Sequence, residues 1–488
     1  MREWPAVADR ITPAQASPFD PLSLARAIDG KLLRAGSMAI RGAAVDSRRV
    51  EPGNAFFALP GERTDGHRFL LDAARAGASA LVVSDEQSEE ELERLSAIGD
   101  QGGPSLVLVP DSLVALQLAA AAWRDRFDPL VVGVTGSLAK TSTKEQIAEV
   151  LSERWTVLRN RANENNEIGL PLTLLRLSRE DHVAVLEMGM YEPGDIALLA
   201  QMARPHIGVV TAVRGTHLAR AGSIEAIERG KRELVEALPA GGTAVLNADD
   251  PRVASMAAGR RDLRVFRYGF DAAAEVTATD VESMGSVGMR FRLTTPIGQI
   301  AVTSLALGRH SVHNALAAAA VGVATGTELP TIAAGLARPL SVPHRTVLLR
   351  AGEWQILDDS YNAAPDSMMA ALDVLASLPG RHVAVLGEML ELGDQADEAH
   401  RSVGHHAART TDVLIAVGTK APVYAEAAIA GGMSAGAVVR AADRDAALGE
   451  LEELLRPGDT VLLKASRGAE FDLLVDELRH LAGAERVG

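Results

Sequence analysis

"GVTGSLAKTSTKE", residues 133–145, follows the apolar pair Val131–Val132. The pattern predicts a buried strand, a glycine-rich turn and a helix that begins near Lys140. Such a turn points backbone N–H groups and the positive end of a helix at a phosphate group. Lys140 would then neutralise phosphate charge, and the Thr141 hydroxyl would reach Mg²⁺. The stretch therefore predicts a nucleotide-binding site.

The loop departs in two places from the usual pattern G-x-x-x-x-G-K-[ST]. Val134 stands six residues before Lys140, and Ala139 occupies the place before the lysine, where such loops have glycine. If the backbone at Ala139 needs a positive φ, its methyl group costs strain; at a negative φ alanine is tolerated. A strand–turn–helix with a solvated lysine is the alternative that this stretch alone leaves open.

Composition limits the classes of function. The chain has 488 residues, enough for about three domains, and it contains no cysteine, which excludes disulfides and thiolate chemistry. A net charge of −15 argues against nonspecific nucleic-acid binding. No apolar run reaches the roughly 18 residues of a membrane span. We expect a cytoplasmic monomer that binds no nucleic acid and enters no membrane.

Three segments with different patterns follow one another along the chain. Strands and helices alternate up to about residue 112, and continuous apolar runs such as "HVAVLEMG" then indicate parallel strands covered on both faces. Within this second segment, residues 276–305 alternate polar and apolar, which predicts an antiparallel insertion. The strand–helix alternation returns after Pro343. We predict an α/β protein with domains at residues 1–112, 113–342 and 343–488.

Polar residues at predicted strand ends are the further candidates, because open α/β sheets bind ligands at that edge. Glu187 ends a buried strand and can hold Mg²⁺. His217 follows another strand, and Lys231 lies on a helix that begins near Ser223. Taken alone, His217 and Lys231 are as easily a packed histidine and a solvated lysine.

Two adjacent carboxylates, Asp358 and Asp359, end a strand in the third segment. They can bind ribose hydroxyls or a cation, or they can simply belong to a well-capped turn. Asn362 lies in that turn, and we expect Asp366 or Ser367 to cap the helix that follows.

Several stretches in this order resemble the Mur ligases, ATP-dependent amide-forming enzymes of peptidoglycan precursor synthesis. The resemblance extends over nearly the whole chain and is carried by "DSRRVEPGNAFF" (46–57), "NENNEIGLPLTLL" (163–175), "EMGMYEPGDI" (187–196), "DDSYNAAPDSM" (358–368), "LGEMLELGDQADEAH" (386–400) and "GDTVLLKASRG" (458–468). Within the family they resemble the enzymes that join D-alanyl-D-alanine to UDP-N-acetylmuramoyl-tripeptide through an acyl phosphate. The implied architecture is an N-terminal UDP-binding domain, a central P-loop-type ATPase with a parallel sheet and a C-terminal Rossmann-like domain.

The resemblance also implies roles for individual residues, with ATP and Mg²⁺ as cofactors. The implied catalytic residues are Lys140, Glu187, His217 and Lys231. The implied ATP-binding residues are Gly136, Ser137, Lys140, Thr141, Ser142, Asn314, Arg345 and Asp359. The implied substrate-binding residues are Ser47, Arg48, Asn166 and Asn362. Mg²⁺ is expected on Thr141, Glu187, His217 and Lys231, the lysine acting as its carbamate.

Some residues differ from the usual sequence motifs of the family, and these differences leave three hypotheses open. Besides Ala139, Ala364 replaces the second asparagine of an Asn-Ala-Asn-Pro turn. The first hypothesis is an active D-alanyl-D-alanine-adding ligase. The second is a ligase of the family with another amine substrate, which Ala364 suggests. The third, suggested by Ala139, is a nucleotide-sugar-binding pseudoenzyme with weakened ATP turnover; the retained Lys140, Glu187 and Lys231 speak against it.

Overall fold

The computed structural model describes residues 18–61, 64–85, 88–98, 103–215, 222–340 and 342–484. Four β-sheets form within these ranges, three of them largely parallel and flanked by helices. The predicted α/β class is therefore confirmed. No helix among the described residues is both long and apolar enough to cross a bilayer.

The N-terminal sheet has the strand order β1-β5-β4-β3-β2, with β1 antiparallel to β5 and the other pairs parallel. Its strands and helices are β1 (Lys31–Arg34), β2 (Ala43–Ala44), β3 (Ala55–Phe57), β4 (Ala80–Val83), β5 (Ser105–Leu108), α1 (Pro21–Ala27), α2 (Leu70–Arg75), α3 (Glu89–Ser96) and α4 (Ser112–Arg124). Helix α4 packs in one hydrophobic core with this sheet and with the next domain. It is tied to that domain by Trp123 Nε1, which donates to the carbonyl of Leu177 at 3.0 Å.

The central sheet is parallel throughout, with the order β11-β10-β9-β6-β8-β7. Its strands and helices are β6 (Leu130–Thr135), β7 (Val157–Arg159), β8 (Val183–Glu187), β9 (Ile207–Val210), β10 (Thr243–Asn247), β11 (Arg264–Tyr268), α5 (Lys140–Ser152), α6 (Gly169–Leu174), α7 (Asp195–Ala203), α8 (Ile224–Glu236) and α9 (Pro251–Ala254). Strands β6, β8, β9 and β10 are buried along their whole length, as the continuous apolar runs predicted.

The predicted antiparallel insertion is confirmed as a three-stranded sheet that follows the central one. It comprises β12 (Thr277–Ser283), β13 (Met289–Thr295) and β14 (Gly298–Ser304), and it is followed by α10 (Arg309–Ala324) and α11 (Leu329–Leu336). The alanine-rich helix α10 packs against α5 in the central core. It thereby fixes the helix that carries the phosphate-binding loop.

The C-terminal sheet has the order β15-β16-β20-β17-β18-β19, parallel except for the hairpin β15–β16. Its strands and helices are β15 (Val347–Ala351), β16 (Trp354–Asp358), β17 (His382–Leu386), β18 (Val413–Val417), β19 (Val438–Ala441), β20 (Thr460–Lys464), α12 (Pro365–Ala376), α13 (Ala396–Thr410), α14 (Ala421–Ala430), α15 (Arg444–Leu454) and α16 (Phe471–Ala484). The loops after β16, β17 and β20 meet the loops after β6, β8, β9 and β10 across one cleft of about 1020 Å³.

Candidate active site

The phosphate-binding loop connects β6 to α5 and forms one wall of the cleft. At Gly136, φ is +149°, and any Cβ there would overlap Thr211 Oγ1, so only glycine fits. Thr211 Oγ1 donates to the carbonyl of Leu138 at 2.6 Å, and Ser137 Oγ donates to the carbonyl of Arg214 at 3.0 Å. The loop is therefore held in shape by the end of strand β9.

Ala139 immediately precedes helix α5 with φ +62° and ψ 8°, a left-handed conformation. A non-glycine residue pays roughly 1–2 kcal/mol to adopt it. The backbone at this position thus has the conformation that favours glycine, and the Ala139 methyl group adds strain to it.

Lys140 folds back over the loop, and its Nζ donates to the carbonyl of Gly136 at 2.8 Å. Burial lowers the pKa of Lys140, the carboxylate of Glu187 opposes that shift, and Arg345 from the C-terminal domain adds to it. No carboxylate among the described residues lies within ion-pair distance of Lys140. Its charge is therefore available to an anion bound in the cleft.

Glu187 is buried at the end of β8 and is fixed at every oxygen. Its two carboxylate oxygens accept hydrogen bonds from Thr141 Oγ1 at 2.8 Å and from Asn165 Nδ2 at 2.6 Å. The side chain of Asn160 holds the backbone of Glu187: its Oδ1 accepts from the Glu187 N–H, and its Nδ2 donates to the Glu187 carbonyl. Buried Lys144 in turn holds the Asn160 carbonyl at 2.7 Å. The arrangement brings the Thr141 and Glu187 oxygens together at the loop, as the sequence predicted.

Lys231 is almost completely buried on α8, which begins directly after its N-cap Ser223, where the sequence predicted the helix to start. Its ammonium makes no hydrogen bond or ion pair with any residue that the structure describes. Burial, with a further contribution from Lys140, holds the pKa of Lys231 well below its usual value. The predicted partner His217 lies outside the described residues.

Asn314 and Arg345 line the cleft from opposite domains. On α10, Asn314 Oδ1 accepts from Thr143 Oγ1 at 3.1 Å, which links this helix to α5. Asp359 accepts from the backbone of Thr346 at 3.0 Å and forms an ion pair with buried Lys464. Seven of the eight predicted ATP-binding residues therefore line one space, namely Ser137, Lys140, Thr141, Ser142, Asn314, Arg345 and Asp359, whereas Gly136 does not line it.

The N-cap of helix α12, which follows the turn after β16, differs from the prediction. Neither Asp366 nor Ser367 is the N-cap; that position belongs to Ala364, and Pro365 is the first helical residue. Proline favours the first turn, and Ser367 Oγ instead accepts from the backbone N–H of Ala364 at 3.0 Å. Asn362 lines the cleft, and its backbone carbonyl accepts from Lys464 Nζ at 3.1 Å.

Residues 386–400, one of the stretches that carry the family resemblance, support one wall of the cleft. His400 is buried; its Nε2 accepts from the backbone of Met389, and its Nδ1 bonds the carbonyl of Ala396. Glu388 accepts hydrogen bonds from the backbone of Thr419 and Lys420 at the start of α14. These bonds present residues 390–392 to the cleft.

Among the cleft residues that escaped the sequence-based prediction are Lys464 at the end of β20, Arg467 in the loop after it, and Tyr361 after β16. Arg467 Nη1 donates to the Tyr361 hydroxyl at 3.1 Å. The rule that singled out Asp359 at a strand end, if applied to "VLLKASRG", would have found both cations.

A second cleft of about 1010 Å³ lies between the N-terminal and central domains. Six arginines and three carboxylates line it, so the cleft favours an anion; the arginines are Arg41, Arg48, Arg49, Arg161, Arg176 and Arg179. Of the four predicted substrate residues, Arg48 lies here, and Ser47 stands beside it in a short 3₁₀ turn without lining the cleft. Asn166 and Asn362 line the first cleft instead.

Comparisons with protein families cover most of the chain. The model described as "Mur ligase middle domain" matches residues 134–322, "Mur ligase, glutamate ligase domain" matches residues 344–467, and "Mur ligase family, catalytic domain" matches residues 39–120. The chain is 36% identical to the UDP-N-acetylmuramoyl-tripeptide–D-alanyl-D-alanine ligase of Escherichia coli K12, over 92% of this chain and 95% of that protein. The ligase of the same name from Mycobacterium tuberculosis H37Rv is 38% identical over 89% of this chain and 91% of its own length.

Solved structures show the same fold. MurF from Acinetobacter baumannii superposes with a TM-score of 0.84 and 29% identity, over 96% of this chain and 100% of that one. MurF ligase from Thermotoga maritima, solved in complex with ADP, has a TM-score of 0.77 and 26% identity, over 91% and 98% of the two chains.

Proposed function

This chain belongs to the Mur ligase family, and from that premise we propose that it is the ATP-dependent ligase that joins D-alanyl-D-alanine to UDP-N-acetylmuramoyl-tripeptide in peptidoglycan precursor synthesis. The observation that carries this proposal is the first cleft. Lys140 faces it from the central domain, and Arg345, Lys464 and Arg467 face it from the C-terminal domain. Carboxylates also line the cleft, but Lys140, Arg345 and Arg467 pair with none of those that the structure describes, so their charges are available to the phosphates of a nucleotide and to other anionic groups.

The three domains would divide the substrates between them. Residues 1–112 supply Arg41, Arg48 and Arg49 to the second cleft, whose excess of arginine suits the UDP end of the substrate. Residues 113–342 bind ATP, and residues 343–488 receive the dipeptide at Asn362. We place the reaction in the cytoplasm, with one chain forming a complete site.

The residues near Glu187 fit Mg²⁺. Thr141 and Glu187 offer oxygen ligands, the kind that Mg²⁺ requires. Buried Lys231 has no partner among the described residues, and its lowered pKa favours the neutral amine, which adds CO₂ and releases a proton to form a carbamate. The adduct turns this buried amine into an anionic oxygen ligand. When bound, Mg²⁺ would neutralise charge on the phosphates of ATP.

The chemistry has two steps. The terminal carboxylate of the tripeptide attacks the γ-phosphorus of ATP; an O–P bond forms, the bond to ADP breaks, and an acyl phosphate results. Lys140 offsets the charge on the transferring group, and Thr141 and Ser142 at the start of α5 orient it. The neutral amine of D-alanyl-D-alanine then attacks the acyl carbon and expels phosphate. The C-terminal wall excludes water, which would otherwise hydrolyse the acyl phosphate.

One assay tests the proposal. Purified protein receives ATP, Mg²⁺, UDP-N-acetylmuramoyl-tripeptide and D-alanyl-D-alanine, and phosphate release is followed, with Lys140→Ala as the inactive control. We expect release that requires all four components. Faster release with a different amine would favour the second hypothesis. Binding of the UDP substrate without any release would favour the pseudoenzyme.

A further inference from the structure

We propose that Arg467 binds the C-terminal carboxylate of the incoming dipeptide and so makes the enzyme select a free acid over a neutral C-terminus. The inference rests on the proposed function. It begins from the C-terminal wall of the cleft, which carries three cations: Arg345, Lys464 and Arg467.

Lys464 is already neutralised, since it pairs with Asp359 and bonds the carbonyl of Asn362. The other two cations flank the ring of Tyr361, with guanidinium carbons 4.1 Å (Arg345) and 5.2 Å (Arg467) from its centroid. No carboxylate among the described residues pairs with either arginine. Two cations therefore remain for two anionic groups of bound ligands.

Position assigns one anion to each arginine. Arg345 adjoins Thr346, whose backbone N–H donates to Asp359, a residue implied for ATP binding, so Arg345 belongs to the nucleotide side of the cleft. Arg467 lies in the loop after β20, and its neighbours Ser466 and Gly468 contact Leu390. Because Arg345 is assigned to the nucleotide, Arg467, which shares the Tyr361 ring with it, is the cation left for the second anion.

The chemistry of the dipeptide requires a cation at that place. Its amine must reach the acyl carbon beside the phosphate, so its carboxylate points away. An extended dipeptide spans about 7 Å, which places the carboxylate one dipeptide length from the reacting atoms. The two methyl groups then meet the small and apolar side chains of this wall, which are Ala363, Ala364, Leu390 and Leu392.

Local structure orients the Arg467 guanidinium before any ligand arrives. Ser466 precedes the short 3₁₀ turn Arg467–Ala469; its backbone N–H donates to the carbonyl of Glu388, and its Oγ accepts from Leu390 N–H at 2.9 Å. The Tyr361 hydroxyl takes one of the five guanidinium N–H donors. The remaining donors suit a two-pronged bond to a carboxylate.

The test compares D-alanyl-D-alanine with D-alanyl-D-alaninamide, which lacks the negative charge. The wild-type enzyme should show a lower KM for the acid than for the amide. In Arg467→Gln, KM for the acid should rise about 10- to 100-fold and KM for the amide should change less than about twofold. Values of KM for ATP and for the UDP substrate should stay within about twofold of wild type.

Two further variants serve as controls. Arg440→Gln removes an exposed arginine of β19, outside the cleft, and should change none of these constants. Arg345→Gln should raise KM for ATP and keep the preference for the acid. Equal losses for acid and amide in Arg467→Gln, or no preference in the wild type, would overturn the inference. A wild-type enzyme that releases no phosphate with D-alanyl-D-alanine would instead contradict the proposed function.

Discussion

Arg214 Nε donates to Asp366 Oδ2 at 2.9 Å, an ion pair that joins the central domain to the first turn of α12. The same guanidinium holds Asp250 at 2.7 Å, and the Arg214 backbone N–H donates to Ser137 Oγ in the phosphate-binding loop at 2.9 Å. One residue therefore contacts both the loop that takes the nucleotide and the domain that covers it.

Breaking this pair should open the cleft without unfolding the protein. We expect Asp366→Asn to increase the radius of gyration measured by small-angle X-ray scattering. The free energy of unfolding should fall by less than about 1 kcal/mol, because both side chains are about half exposed. Asp373→Asn is the matched control: it lies on the same helix, but its partner His406 belongs to the same domain. Identical scattering from the two variants would contradict the role of the pair.

Ala139→Gly should relieve the strain at the left-handed position before α5. We expect the free energy of unfolding to rise by about 0.5–1 kcal/mol, the relief being partly offset by the greater freedom of glycine in the unfolded chain. Urea unfolding measures this gain, and KM for ATP should change less than it does in Lys140→Ala. Ala162→Gly, at another position with positive φ (+44°), should stabilise without touching ATP binding. If Ala139→Gly raised turnover a hundredfold, the alanine would be a defect rather than a tolerated variant.

Two buried lysines should respond to the same substitution with opposite signs. Lys231→Met removes a buried amine without a described partner, whose burial disfavours the charged form that the unfolded chain keeps, so the free energy of unfolding should rise by about 1 kcal/mol or more while ligase activity is lost. Lys144→Met removes a cation that pairs with Glu145 at 2.7 Å, and it should cost about 3–5 kcal/mol. Urea titration gives both values. Binding of ¹³C-bicarbonate, followed by NMR, should show a carbamate signal in the wild type that Lys231→Met lacks; a signal in neither protein would contradict the carbamate.

His310 should make part of the stability depend on pH. Burial in the cleft wall lowers its pKa below the usual value of 6.5. Between the folded pKa and 6.5 the unfolded chain binds more protons, so the free energy of unfolding rises with pH there and levels off above 6.5. His310→Gln should remove this rise in urea titrations between about pH 5 and 7.5. The exposed His480→Gln should retain it, and a rise of equal size in His310→Gln would refute the assignment.

Ala364 stands where the usual motif of the family has asparagine. The substitution Ala364→Asn tests whether this position affects the stability of α12 or the choice of amine substrate. Ala364 caps α12 without any side-chain hydrogen bond, so asparagine should add about 1 kcal/mol of stability. The residue lines the cleft, which leaves room for the larger side chain. If KM for D-alanyl-D-alanine changes less than about twofold, the alanine does not set the amine specificity. A tenfold change would support the hypothesis of a different amine substrate.

The sequence predicted the parts of the fold that depend on residues close together in the chain. Parallel strands buried on both faces leave continuous apolar runs, and the phosphate-binding loop is one contiguous segment. The Tyr361–Arg467 contact was out of reach, because the pairing of β16 with β20 brings together residues about a hundred positions apart. Lys231 resembles any helical lysine until its burial is seen. The start of α12 was misplaced because Pro365 outweighs the polar residues that follow it.

The packing of helix α4 affects how the three domains unfold. Its side chains belong to one core that runs without interruption from the N-terminal sheet into the central domain, whereas the two C-terminal cores contain, apart from Leu307, only residues after 342. Melting should therefore be cooperative across the first two domains, which lose their structure in a single transition. The third can denature and recover as a separate unit while the binding site for the UDP end and the phosphate-binding loop stay intact.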